Sequence, residues 1–353
     1  MTIIPYRWKI PLILPLIALL VACGSASPGT STTAPARPAT AIIPTNAVPS
    51  ASIPSVAPTT TASAGQRKTR IIEQTADFPR KIEALNGVVT VAQKPQRVMT
   101  LSVGYDEMTL ALVDKSRIAA ISKYTADPTI SNVADQATGI PIYGKGAEQV
   151  LAAKPDLVVA DPFTDKELVR QVQAAGITVA VTDLVDAYDG FTGSLRVLAY
   201  LYGEDARGDA LIWVINDRLT RIDAVVAKHA GEPKPRILLL QGNAYVAGAD
   251  SNMDGIIRRV GGINVAAESG ISGTKQISLE SIIAMNPDTI VIPGSPEKDS
   301  KSFAQVTVNP ALAAVPAVTK KHIYGVTDTY LFTLSHWNVR AMEELVHLLY
   351  PNG

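Results

Sequence analysis

Side chains capable of covalent or metal chemistry are scarce in this chain. It has four histidines, His229, His322, His336 and His347, and one cysteine, Cys23. Local pattern puts His229 at the end of a long helix, His322 just before a strand and His347 on a terminal helix. His336 is then the one histidine expected to face a cleft. A lone imidazole does not make a catalytic triad, and the sequence has no Gly-x-Ser-x-Gly elbow. A zinc or manganese centre needs several imidazoles and carboxylates converging on bare metal, and these four histidines are not spread to supply one. Gly144-Lys-Gly146-Ala-Glu148-Gln lacks the third glycine of a dinucleotide fingerprint. The residues argue for binding rather than catalysis, with no catalytic residue, no metal held by the chain and no resident cofactor expected.

Binding chemistry is better represented. The chain has only 5 Phe, 3 Trp and 11 Tyr, yet several fall at positions expected in loops, where packing demands them less. In the first half these are Tyr105, Tyr124, Tyr143 and Phe163. In the second half they are Tyr245, Tyr330, Phe332 and Trp337, with Asn243, Lys275, His336 and Arg340 beside them. Aromatic faces carrying a few hydroxyls suit a large, flat or chelated ligand. The run from Tyr330 to Trp337 joins a strand to the last helix, Ser335 is placed to cap that helix, and Arg340 would face an anionic chelate. With 32 basic and 32 acidic side chains, charge gives no reason to propose nucleic acid as a partner.

A repeat organises these residues. Glu148-Gln-Val-Leu-Ala152-Ala-Lys-Pro155-Asp156 precedes the apolar run Leu157-Val-Val. Glu280-Ser-Ile-Ile-Ala284-Met-Asn-Pro287-Asp288, 132 residues later, precedes Thr289-Ile-Val-Ile. Each copy reads as a short helix opened by Glu, where a negative charge suits the helix dipole. A Pro-Asp turn follows, whose Asp is expected to bond the turn backbone, and then a buried strand. A period this long means a duplicated lobe rather than a solenoid. It places one carboxylate at corresponding points of two lobes.

Apolar runs alternate with helical patterns throughout, the signature of an α/β fold with mainly parallel sheets. Strands are expected at Arg97–Leu101, Ile118–Ser122, Leu157–Ala160, Thr178–Val181, Arg236–Leu240, Thr289–Ile292 and Ile323–Val326. Helices are expected at Asp106–Val113, Glu148–Ala153 and Asp165–Ala175. From Asp205 to His229, Leu211, Ile215, Leu219, Ile222 and Val226 recur at helical spacing. About 25 helical residues span roughly 37 Å, long enough to connect two lobes. The expected organisation is an N-terminal lobe over 68–204, a connecting helix over 205–230 and a C-terminal lobe over 231–353.

The leader is of a different kind. Arg7 and Lys9 precede an apolar stretch too short to cross a bilayer and interrupted by Pro11 and Pro15, which reads as a signal peptide over 1–22. Leu20-Val21-Ala22-Cys23 looks like a bacterial lipobox and implies acylation of Cys23. A Ser/Thr/Ala/Pro-rich linker over 23–67 would then tether the body with a mean reach of roughly 35–40 Å, lipid-anchored outside the cytoplasm.

Five segments in order resemble the iron–siderophore/vitamin B12 class of ABC-importer substrate-binding proteins. They are Pro95-Gln-Arg97-Val98 with Leu101-Ser102, Glu148 to Asp156, Ala247-Gly248 with Gly261-Gly262-Ile263-Asn264, Glu280 to Asp288, and Glu343-Glu344-Leu345 with Leu349-Tyr350-Pro351. The resemblance covers residues 68–351. It implies two α/β lobes joined by one long helix, a ligand held between them, modest closure, and a monomer that docks on a permease dimer through Glu148 and Glu280. Its broadest ligand group makes an iron–siderophore complex the expected cargo. Vitamin B12 or haem on the same fold, with Tyr143 as an iron ligand, is an alternative, as is a divalent-metal-binding protein or a ligand sensor without a permease.

Overall fold

The computed structural model describes residues 69–183 and 187–352; the signal, linker and Cys23 assignments lie outside these residues. The chain opens with a small antiparallel sheet, β1 (Arg70–Ile71), β2 (Arg80–Ala84) and β3 (Gly87–Val91), which sequence patterning does not announce. The N-terminal lobe follows as β4 (Val98–Thr100), α1 (Val103–Leu112), β5 (Ile118–Ser122), β6 (Ile142–Tyr143), α2 (Ala147–Ala152), β7 (Leu157–Ala160), α3 (Lys166–Ala174), β8 (Thr178–Val181) and α4 (Thr192–Tyr202). Its sheet runs β6-β5-β4-β7-β8 with every pairing parallel. β4, β5 and β7 are buried at every residue, as sheets covered by helices on both faces must be. The β2–β3 turn closes the edge of β8. Asn86 donates to the Val179 carbonyl (2.8 Å) and accepts from the Val181 N–H (3.0 Å), in place of a further strand.

The long helix α5 (Asp205–Lys228) has 24 residues and buries Ile212, Ile215, Leu219 and Ile222. It is not an isolated rod. It packs along α4 and the last helix, and one core cluster runs from Ile82 and Leu157 of the first lobe through Ile215 and Leu219 to Ile256 and Leu345 of the second. Gly208 makes the α4 crossing possible, since a Cβ there would stand 2.4 Å from that of Ala199.

The C-terminal lobe comprises β9 (Arg236–Gln241), β10 (Tyr245–Ala247), α6 (Asn252–Arg259), β11 (Ile263–Asn264), α7 (Val265–Glu268), β12 (Thr274–Gln276), α8 (Leu279–Met285), β13 (Thr289–Pro293), α9 (Ser300–Thr307), α10 (Pro316–Thr319), β14 (Ile323–Val326), α11 (Asp328–Phe332) and α12 (Asn338–Leu349). β11, β9, β13 and β14 are parallel, while β10 and β12 add an antiparallel ribbon to the far half of β9.

The repeated Pro-Asp turn has a different role from the one expected. Asp156 does not bond its own turn; it accepts from the backbone N–H of Gln96 (2.6 Å) and Arg97 (3.0 Å), at the entry to β4. Arg97 reaches back to the carbonyls of Ala153 (2.6 Å) and Lys154 (2.9 Å) where α2 ends. The second lobe repeats the latch: Asp288 accepts from Arg236 N–H (3.4 Å), and the Arg236 guanidinium donates to the Met285 carbonyl (3.1 Å) at the end of α8. An Arg at the first core strand satisfies the open carbonyls of the helix C-terminus, and the Asp anchors that same strand.

Candidate functional site

At the C-terminal ends of β4, β5, β6 and β7 lies a cavity of about 750 Å³, the end of a parallel sheet where ligands are bound. Its described lining comes entirely from the N-terminal lobe. Local turns fix the side chains. Asp161, directly after β7, accepts from the Phe163 N–H (2.9 Å) and the Thr164 hydroxyl (3.0 Å). This Asx-type turn leaves Phe163 80% exposed at the rim. Asp165 then caps α3 by accepting from the Glu167 N–H (2.8 Å). Tyr143 ends β6 half-buried, and its phenol is held well above its ordinary pKa by burial, with the nearby Asp106 and Asp161 carboxylates adding to the effect and the Ser122 hydroxyl opposing it. Tyr124 forms another wall, with the Lys123 ammonium 4.9 Å from its ring centre. Two lysines, Lys123 and Lys145, and three carboxylates, Asp161, Asp165 and Glu167, share the lining. The cavity thus offers aromatic faces and hydroxyls without an excess of positive charge.

Of the first-lobe aromatics, the structure brings Tyr124, Tyr143 and Phe163 together in this cavity. Tyr105 is placed differently. It sits in the first turn of α1, is wholly buried, and donates to the Thr182 carbonyl (3.1 Å). Helix α1 begins three residues earlier than expected, which turns this supposed loop residue inward. The second-lobe candidates lie apart from the cavity lining. Tyr245 begins β10 and is 40% exposed, and Lys275 stands exposed on β12 opposite Val246. Phe332 ends α11, exposed. Tyr330 stacks on Trp337 at 6.2 Å, and His336 lies 5.7 Å from the same indole. Desolvation, with a smaller contribution from the Arg218 charge, lowers the His336 pKa to about 4. Arg340 pairs with Glu343 (3.3 Å), which also meets Arg218. Ser335 stands two residues before Trp337, the N-terminal boundary of α12, where its hydroxyl accepts from the Trp337 N–H (3.2 Å). Its hydroxyl donates to Glu107 in the other lobe.

Patterning by aromatic residues passed over Ser122, Lys123, Lys145 and Asp161, which also line the cavity. Position is the signal that finds them, since each lies at or just beyond the C-terminal end of a parallel strand.

Glu148 and Glu280 are exposed in the first turns of α2 and α8. Ser278 caps α8 by accepting from the Ser281 N–H (3.3 Å), and hydrogen bonding from Ser278 and the backbone lowers the Glu280 pKa. Leu279 and Ile283 stand exposed beside Glu280.

A family model described as periplasmic binding protein matches residues 98–330. The cobalamin-binding protein of Halobacterium salinarum is 27% identical over 290 residues, covering 79% of this chain and 78% of that protein. An uncharacterized ABC transporter substrate-binding lipoprotein of Bacillus subtilis, YvrC, is 23% identical over 297 residues, covering 82% and 91%. In three dimensions the chain is similar to the periplasmic heme-binding protein RhuT from Roseiflexus sp. RS-1 in apo form, with a TM-score of 0.62 and 24% identity over 72% of this chain and 98% of that one. This last likeness is one of fold.

Proposed function

Since the chain belongs to the periplasmic binding protein family and is a substrate-binding protein of the ABC-importer type, we propose that its cargo is a corrinoid of the vitamin B12 kind. The observation that carries this reading is the charge balance of the cavity. Its two lysines are matched by three carboxylates around aromatic walls. An anionic ferric siderophore would need a surplus of cations to offset its desolvation. An amide-fringed macrocycle with little net charge needs flat apolar faces and scattered hydrogen-bonding groups. The similarity to a cobalamin-binding protein along most of both chains supports the same choice over the iron–siderophore expected from the sequence. Tyr143 is a poor candidate for a haem-iron ligand in its resting state, because burial and two nearby carboxylates oppose the phenolate.

The full chain in detergent micelles, titrated calorimetrically with cyanocobalamin, a ferric siderophore and haem, tests this assignment. Saturable cyanocobalamin binding at micromolar affinity or tighter, about −8 kcal/mol, is expected. Binding of the siderophore alone would overturn the corrinoid assignment while leaving capture intact, and binding of none would remove both.

Docking belongs to the same reading. Glu148 and Glu280 each meet an arginine of a permease dimer, one per lobe, as bidentate pairs that read orientation more than they add affinity. Acylated Cys23 and the linker would keep the loaded body beside that permease. Replacing Cys23 with Ser should move the protein from the membrane fraction to the soluble fraction. Retention in the membrane would reject the anchor.

A further inference from the structure

Two adjacent carboxylates on α1, Asp106 and Glu107, are buried to 1% and 0% exposure, and capture by the cavity as so far described uses neither. Consecutive residues on a helix point about 100° apart, and these two reach different parts of the molecule. Asp106 holds the loop that leaves β5. Its carboxylate accepts from the Ser122 N–H (2.9 Å), the Thr125 hydroxyl (2.5 Å) and the Thr100 hydroxyl. That loop carries Ser122, Lys123 and Tyr124, one wall of the cavity. Glu107 faces the other lobe. It accepts from the hydroxyls of Thr333 (2.5 Å) and Ser335, which belong to the segment between α11 and α12. It also accepts from the backbone (2.8 Å) and side chain (3.0 Å) of Asn132, which itself donates to the Thr329 carbonyl (2.9 Å). Backbone packing seals the same seam, since a Cβ on Gly104 would lie 2.4 Å from the Leu334 carbonyl oxygen.

We propose that Asp106 and Glu107 are paired positioning residues through which the first turns of α1 link the cavity wall to the seam between the lobes. This rests on the capture reading and adds its regulation: movement of the Ser122–Thr125 loop on ligand contact is passed by α1 to residues 329–335. A buried carboxylate held only by hydroxyl and amide donors has few alternative arrangements, because each donor it loses leaves a buried charge less satisfied. The link is therefore stiff, and the fold keeps it at the lobe boundary.

The wall-side member is also sensitive to protons. Burial, with a small contribution from Glu107, raises the Asp106 pKa to about 7 against the opposing hydrogen bonds from Thr100, Thr125 and Ser122. The other titratable groups whose charge couples to it are phenols, Tyr143 at the cavity and Tyr202 on α4. Ionised Asp106 accepts all three hydrogen bonds. Protonated, it loses the charge that strengthens them and must donate its proton to one of the hydroxyls, reversing that hydrogen bond. The wall is thus held more firmly above pH 7 than below it.

Hydrogen–deuterium exchange on the full chain in detergent micelles, with cyanocobalamin as probe, tests the proposal. In the wild type the ligand should slow exchange in both 122–125 and 329–335, and affinity should rise about threefold or more from pH 6 to pH 8 as Asp106 ionises. Asp106→Asn should flatten that pH profile. Glu107→Gln should keep ligand protection at 122–125 and lose it at 329–335. Protection of 329–335 that persists in Glu107→Gln would mean direct ligand contact and would overturn the link, as would an unchanged pH profile in Asp106→Asn. Should Glu107→Gln fail to fold, Thr333→Val removes one donor while leaving the carboxylate, and must weaken protection at 329–335 for the proposal to stand. Were cyanocobalamin not to bind the wild type, the capture reading would fail by itself. The ligand-free protection factors of 122–125, which are corrected for the intrinsic pH dependence of amide exchange, would still have to differ between pH 6 and pH 8 in the wild type and not in Asp106→Asn.

Discussion

The two lobes share a repeat and use it with unequal strength. In the first, Asp156 takes close hydrogen bonds from two successive backbone N–H groups, and Arg97 covers two carbonyls at the end of α2. In the second, Asp288 takes a single hydrogen bond at 3.4 Å beside a loose ion pair with Lys320 (3.8 Å), Arg236 covers one carbonyl, and the same arginine is shared with Glu268 at 2.7 Å. The strand ends beyond the latch diverge further. The first lobe opens into the 750 Å³ cavity, whereas in the second the β10–β12 ribbon pairs along the C-terminal end of β9 and extends the sheet. Duplication preserved the part that fixes helix to strand and places a glutamate at the helix start. The loops at the strand ends were free to specialise, because they carry little of the core.

Three experiments put this comparison under pressure. The largest effect should come from the shared feature: Glu148→Arg combined with Glu280→Arg is expected to abolish cargo uptake by cells while leaving the affinity of the purified protein unchanged. A parallel loss of affinity would reject the docking role, and full uptake by either single variant would show that the two lobes do not contribute equally. The latch comes next. Asp156→Ala should lower unfolding free energy in urea by about 1–2 kcal/mol, since it removes the carboxylate that two successive N–H groups share at an exposed strand entry. Asp288→Ala should cost less than about 1 kcal/mol. Equal losses would show that bond number does not set the strength of the latch.

The smallest effect concerns buried titratable groups, where the lobes have opposite signs. Asp106 in the first is raised to about 7 and His336 in the second is lowered to about 4. For His336 the native state binds the proton less readily than the unfolded chain. Its contribution is fully present above the ordinary histidine pKa and is lost as pH falls from about 6.5 towards 4. The ring is only half-buried by area, so the stability at stake is on the order of 1 kcal/mol rather than the full value of the shift. His336→Gln should remove that acid-side loss in thermal unfolding measured from pH 7 to pH 4. An identical pH slope in wild type and variant would remove His336 as its source.

How far the sequence could be read depended on what each segment must bury. β5, β7, β8 and β14 fall at the residues expected, because strands covered on both faces are continuous apolar runs bounded by turn residues. α5 was equally legible from its helical spacing. The first sheet and the β10–β12 ribbon were not. β2 alternates Arg, Lys and Glu with apolar residues, and β12 is Thr-Lys-Gln, exposed throughout. β12 exists through backbone pairing with β10, which sequence does not place beside it, whereas β2 and β3 form a local hairpin across Leu85 and Asn86 whose charged residues hide the strand pattern. Within the site, aromatic scarcity pointed to Tyr124, Tyr143 and Phe163 and misplaced Tyr105, whose direction changed with the true start of α1.

Periodicity and repetition are local properties of the chain, and they carried the two-lobed α/β plan, the long helix and the positions of the paired glutamates. The tertiary structure decided that the described cavity is walled by one lobe, that Asp156 and Asp288 serve the neighbouring strand, and that Asp106 and Glu107 answer to opposite sides of α1. Each of these joins residues distant in sequence. A hydrogen bond such as Thr333 to Glu107, across 226 positions, leaves no periodic trace in either segment.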